Sequence, residues 1–152
     1  MNHKPRSFTI LMADDNDEGR HLAHEALREG KLTHELRCVV NGQELLDYLH
    51  RRNRYAQCDA PRPGLILLDL NMPRPDGREV LAEIKRDPEL RQIPIVVLTS
   101  SRAQEDVFRS YDLGVNSYIV KPMTFDALVD LLRLLGQYWF ELVELPPDPS
   151  RN

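Results

Sequence analysis

A chain of 152 residues with 41% hydrophobic and 29% charged side chains has the length and composition of one globular domain able to bury its own core. A formal net charge of −4 argues against non-specific nucleic-acid binding, which depends on Lys and Arg at phosphates. No apolar run approaches membrane-spanning length, no signal peptide is visible, and Cys38 and Cys58 lack metal spacing. Together these describe a cytoplasmic protein with reduced thiols, no nucleic-acid partner and no membrane attachment.

The predicted elements alternate. Phe8 to Ala13 is a short apolar run ending in Asp14-Asp15 and reads as a strand. Asn16 or Asp17 can cap a helix over Glu18 to Arg28, whose inner face holds Leu22, Ala23, Ala26 and Leu27, and Gly30 ends it. Leu36 to Val40 is the second strand. Asn41-Gly42 turns the chain into a helix striped by Leu45, Leu46 and Leu49, with Arg51, Arg52 and Arg54 as its solvated basic end. Asn53 to Pro63 is a long polar loop. Leu65 to Leu68 has no polar alternate position, which suits a central strand covered on both faces, and Asp69 stands where it runs out. Pro73, Pro75 and Asp76-Gly77 then form a turn. A helix from Arg78 to Arg86, a strand from Ile93 to Leu98 and a helix from Ala103 to Asp112 follow. Ser117 to Val120 is the last strand, and a Thr124-capped helix runs on to about Val143.

Five β-α units imply parallel strands joined by right-handed crossovers. The expected fold is α/β, a doubly wound five-stranded parallel sheet in the flavodoxin-like order 2-1-3-4-5. On this topology Asp14, Asp15, Asp69, Thr99 and Lys121 all fall on the carboxyl edge of the sheet, where open α/β sheets place their chemistry. Each has a bland reading as a loop or cap residue. Jointly, three mutually repelling carboxylates call for a cation, and an all-oxygen ligand set favours Mg²⁺. A metal held by Asp15 and Asp69, with Asp14 nearby, would leave positions for a phosphoryl oxygen. Lys121 could neutralise a second oxygen and the Thr99 hydroxyl could donate to a third. The nucleophile that remains is Asp69, as an aspartyl-phosphate former. No nucleotide-binding glycine loop is present, so the donor is expected to be another protein or a small phosphodonor.

The acidic pair Asp14-Asp15, the LLDLNMPxxDG run around Asp69, LTSS at Thr99 and SYIVKP around Tyr118 and Lys121 resemble the receiver domain of two-component response regulators, from Phe8 to about Leu142. The resemblance implies that Asp69 accepts a phosphoryl group from a phosphohistidine on a sensor histidine kinase. It implies that Asp15, Asp69 and the backbone carbonyl of Asn71 bind Mg²⁺, and that Thr99 and Tyr118 form a switch pair. It describes a signalling phosphoacceptor rather than an enzyme acting on outside substrates, though one that assists its own phosphorylation and dephosphorylation. A narrower similarity, in the DGREVLAEIKRDPELRQIPIVVLTSS run, the long loop before the third strand and the YWFELVELP end, is to small response regulators that partner bacterial phytochromes.

The last helix carries more apolar surface than a sheet-covering helix needs. Leu134, Tyr138, Trp139, Phe140 and Leu142 are candidates for a homodimer interface. Residues 1–145 are expected to form the receiver domain and 146–152 a short proline-bearing tail, with no output domain, so output would leave by protein–protein binding or onward phosphotransfer. The alternatives are a phosphorylation-independent scaffold of the same fold and, more remotely, a flavin carrier, which the acidic pair after the first strand disfavours.

Overall fold

The computed structural model describes residues 9–29, 35–57, 59–70, 72, 77–99, 117–122 and 124–136. Five strands, β1 (Thr9–Ala13), β2 (Glu35–Val39), β3 (Leu65–Asp69), β4 (Ile95–Thr99) and β5 (Ser117–Val120), form one sheet. All pairings are parallel and the order is β2-β1-β3-β4-β5. The described helices are α1 (Asp17–Glu29), α2 (Gly42–His50), α3 (Gly77–Arg86) and α4 (Phe125–Gly136), with one 3₁₀ turn at Asn53–Tyr55. The expected fold class and strand order are the observed ones. The expected helix over Ala103 to Asp112 and the run of the last helix beyond residue 136 lie outside the described residues.

The period of two along each strand sorts the core into two halves. Leu11 and Ala13 of β1, Ile66 and Leu68 of β3, and Ile95 and Val97 of β4 pack with Leu45 and Leu46 of α2 and Val80, Leu81 and Ile84 of α3. The alternate residues Ile10, Met12, Leu65, Leu67, Val96 and Leu98 pack with Ala23, Ala26 and Leu27 of α1 and Val129, Leu132 and Leu135 of α4. Every residue of β3 is buried, which is why its sequence shows no polar alternation.

Local chemistry sets the helix starts. The Asn16 side chain accepts from the Gly19 N–H at 3.1 Å and caps α1. Asn41 turns the chain by capping α2, accepting from the Glu44 N–H at 2.8 Å, so Gly42 is already helical. Thr124 caps α4 through the Ala127 N–H at 3.1 Å. The fourth strand differs from expectation at its ends: Ile93 belongs to a turn closed by its N–H on the Leu90 carbonyl, and the strand begins at Ile95 and includes Thr99. Pro94 supplies no N–H for a ladder, but its carbonyl accepts from Ile66, so pairing starts just after it.

The three arginines after α2 are not simply a solvated end. Arg51 closes the helix in the left-handed region, at φ 52°. Arg52 Nε donates to the buried Asp47 at 2.9 Å, and Arg54 pairs with Glu44 while lying over the Tyr55 ring. Tyr55 donates to Glu44 and meets Tyr48 edge-on at 5.1 Å between ring centres. These contacts fold the start of the long loop back onto α2. Among the described residues no helix is long and apolar enough to cross a membrane.

The hydrogen bond from Arg52 holds the Asp47 carboxyl below the usual carboxylate range against the opposing effect of burial, with Asn53 and Gln43 adding to it. A lowered pKa means stability that is fully present above the ordinary carboxylate range and lost as pH falls from there through the lowered folded-state value. Asp47→Asn is therefore expected to cost about 1–2 kcal/mol at pH 7, and the difference from the parent in denaturant melts should close as the pH is taken below about 4.

Candidate functional site

The same pleat that sorts the core also builds the site. Along the face covered by α1 and α4, β1 runs Ile10, Met12 and then Asp14; β3 runs Leu65, Leu67 and then Asp69; β5 carries Ile119 and then Lys121. Two apolar rows and Ile119 thus each lead to a charged group where the sheet emerges from its helical cover. The register sets these ends side by side, with Ala13 opposite Leu68, Asp69 opposite Leu98 and Thr99 opposite Val120.

Lys121 Nζ donates to Asp14 Oδ2 at 2.8 Å and to Asp69 Oδ2 at 3.0 Å. Asp14 and Asp69 are buried, whereas Asp15 is exposed at the rim. One carboxylate oxygen from each of the three lies within 4.8 Å of the others. Burial alone would lower the Lys121 pKa, but the hydrogen bonds and charges of Asp14 and Asp69 outweigh it and hold the ammonium above its usual range. The donor set is entirely hard oxygen, part of it at the solvent edge, and it suits a divalent cation of the Mg²⁺ type. Asp14, Asp15 and Asp69 are the described residues that can hold one.

Asp14 is fixed on every side. Its Oδ1 accepts from the Asn16 N–H at 2.9 Å, its carbonyl accepts from Arg20 Nη1 at 2.6 Å, and its N–H donates to the Val39 carbonyl at 3.1 Å. Arg20, which also pairs with Asp17 at 2.9 Å, is a structural partner of the site that sequence reasoning missed. The Gly19 backbone also passes close to the site, a Cβ built there standing 2.8 Å from Asp14 Oδ2. Asn71 lies outside the described residues. Thr99 and Tyr118 are placed on β4 and β5 by their backbone only. The histidines His21 and His24 of α1 are exposed, and His24 Nε2 lies 3.7 Å from Cys38 Sγ. Cys38 carries a free thiol that burial pushes up to about 11, an unreactive form. A cavity of about 210 Å³ among Tyr48, His50, Arg62 and Ile93 opens at the other edge of the sheet, where β3 and β4 begin.

This arrangement of fold and charge is that of a receiver, and residues 10–133 match the response regulator receiver domain model: the chain belongs to that family. Over 137 residues it is 42% identical to the response regulator Rcp1 of Synechocystis sp., covering 90% of this chain and 92% of that one. Among solved structures it is similar to the phosphorylated cyanobacterial phytochrome response regulator RcpA, with 43% identity, a TM-score of 0.82 and coverage of 93% of this chain and 100% of that one. It is likewise similar to the Mn²⁺-bound form of Rcp1, at 41% identity and a TM-score of 0.78, covering 92% and 99%.

The shared Lys121 makes a prediction about the resting protein. Lys121→Ala leaves Asp14 and Asp69 facing each other in a buried site, and metal-free stability should fall by about 2 kcal/mol, the full penalty of a broken buried pair being discounted because the ammonium is partly exposed. Millimolar MgCl₂ should restore more of the melting temperature in this variant than in the parent, as read by thermal melts with and without the salt.

Proposed function

We propose that this receiver is a phosphoacceptor of two-component signalling, with Asp69 as the residue phosphorylated by a sensor histidine kinase. The observation that carries the reading is the buried Asp69 carboxylate sharing one ammonium with Asp14 at the carboxyl edge of the sheet. A pair of carboxylates buried around a lysine adds little to stability, so the arrangement is best accounted for by chemistry on Asp69. An Asp69 oxygen attacks the phosphorus of a phosphohistidine; the new O–P bond forms as the P–N bond breaks, and the electron pair returns to the imidazole. Lys121 then faces the phosphoryl oxygens, with Asp14 keeping the ammonium charged and in place. Asp15 and Asp69, with Asp14 beside them and the Asn71 carbonyl as the proposed further ligand, would hold Mg²⁺, which when bound would supply further positive charge to the phosphoryl oxygens. Thr99 ends the strand next to β5, and its hydroxyl is the proposed third partner of the phosphoryl group. Tyr118 is the proposed second half of the switch.

The kinase we propose is a phytochrome of bacterial type, because the solved relatives include proteins described as phytochrome response regulators; the proposed compartment of this receiver is the cytoplasm. We further propose that the output is protein–protein binding or onward phosphotransfer, and that a homodimer forms through the last helix. Leu134, on α4, is 62% exposed and supports that face as an interface. The other candidates, Tyr138, Trp139, Phe140 and Leu142, lie outside the described residues.

Phosphotransfer from a labelled phytochrome kinase should label the parent and leave Asp69→Asn unlabelled; full labelling of that variant would refute the assignment. Leu134→Asp should keep the melting temperature and shift the molar mass in light scattering from dimer to monomer at micromolar concentration. A parent that is already monomeric with and without beryllofluoride removes the dimer reading.

A further inference from the structure

Asp15 is the member of the acidic cluster that no side-chain contact aims. Asp14 and Asp69 are buried and share Lys121. Asp15 is exposed at the rim, and among the described residues no hydrogen bond or ion pair holds its carboxylate. What aims it is the backbone on either side. The peptide after Asp15 is pinned by the Asn16 N–H, which donates to Asp14 Oδ1 at 2.9 Å. The peptide before it is pinned at the Asp14 carbonyl, which accepts from Arg20 Nη1 at 2.6 Å. The sheet has ended here: β1 stops at Ala13, and its ladder reaches Asp14 by the N–H, on the Val39 carbonyl. Arg20, the fourth residue of α1, is itself steadied, since its Nη2 donates to Asp17 at 2.9 Å and its side chain is only 17% exposed. A guanidinium has the planar fork to serve a carbonyl and a carboxylate at once.

We infer that Arg20 is a positioning residue of the acidic site: its guanidinium clamps the Asp14–Asp15 peptide and so keeps the exposed Asp15 carboxylate in the cluster, where one oxygen from each aspartate lies within 4.8 Å of the others. A residue has two soft backbone dihedrals, so two pinned peptide planes leave the Asp15 side chain one direction of exit. One pin depends on Asp14, whose other carboxylate oxygen is engaged with Lys121; the Arg20 pin is held from α1 and does not depend on that pair. The role runs opposite to Arg20's own charge. A cation beside a cation site repels the ion, so electrostatics alone has Arg20 weaken metal binding. Orienting a ligand has it strengthen metal binding. The inference rests on the metal-dependent reading above, and the test separates the two.

Arg20→Met keeps most of the apolar stem and removes the donors; Arg20→Lys keeps the charge and removes the fork. Both are compared with the parent, as the full chain, by calorimetric titration with MgCl₂ and by metal-free thermal melts. Arg20→Met should raise the Mg²⁺ Kd about tenfold, the scale of disturbing a group that orients metal ligands. Arg20→Lys should raise it about threefold, because charge without the fork is a partial substitute. A merely structural role lowers the melting temperature and leaves the Kd alone, and a purely electrostatic role lowers the Kd. An unchanged or lowered Kd in Arg20→Met therefore overturns the inference. If that variant does not fold, Arg20→Lys carries the test, and a Kd equal to the parent's overturns the inference. A parent that binds no Mg²⁺ overturns the metal reading itself, and the role of Arg20 with it.

Discussion

Two carboxylates buried side by side are unstable as neighbours, and Lys121 is what makes them tolerable. Moving Asp14 and Asp69 out of water costs free energy that one ammonium, at 2.8 and 3.0 Å, only partly returns. The fold surrounds this compromise with fixed partners: the Asn16 N–H on one Asp14 oxygen, Arg20 on its carbonyl, and the sheet ladder beneath. None of these groups is free to rearrange without exposing an unpaired charge. A site held this way is primed for any event that adds or removes charge at Asp69.

Much of this was legible from residue pattern alone. Continuous apolar character in Leu65–Leu68 marked a strand covered on both faces, and β3 is buried throughout. Residues at strand ends gave the edge on which Asp14, Asp69 and Lys121 meet. The pleat gave more than was taken from it: counting by twos from Ile10, Leu65 and Ile119 assigns all three groups to the α1/α4 face. What stayed illegible depends on distances across the chain. The contact of Arg20 with the Asp14 carbonyl and the close approach of the Gly19 backbone arise where a helix start meets a strand end, and spacing along the sequence does not encode how closely backbones approach. The arginines after α2 misled for a related reason, since Arg52 and Arg54 turn back to Asp47 and Glu44 on α2, five and ten residues earlier, along a path that no periodicity reveals.

The division of the core bears on how the site communicates. Asp14, Asp69 and Lys121 extend the rows that pack against α1 and α4, not those against α2 and α3. Displacement of these side chains therefore presses first on the helices that frame one side of the sheet. The opposite layer, stapled at the end of α2 by Asp47 and Arg52, stands as a backing plate.

The separation of the partners along the chain has a consequence for synthesis. Lys121 is 107 residues from Asp14 and 52 from Asp69. On the ribosome the two carboxylates are made well before the ammonium, and β1 and β3 are sheet neighbours that can pair while β5 is still absent. A nascent chain at that stage holds repelling charges without their counterion, and this edge of the sheet closes late. Such long-range pairing is slow to form. Competence of the acidic edge thereby becomes a report that the fifth strand has docked, and a partly folded chain is poorly equipped to take part in signalling.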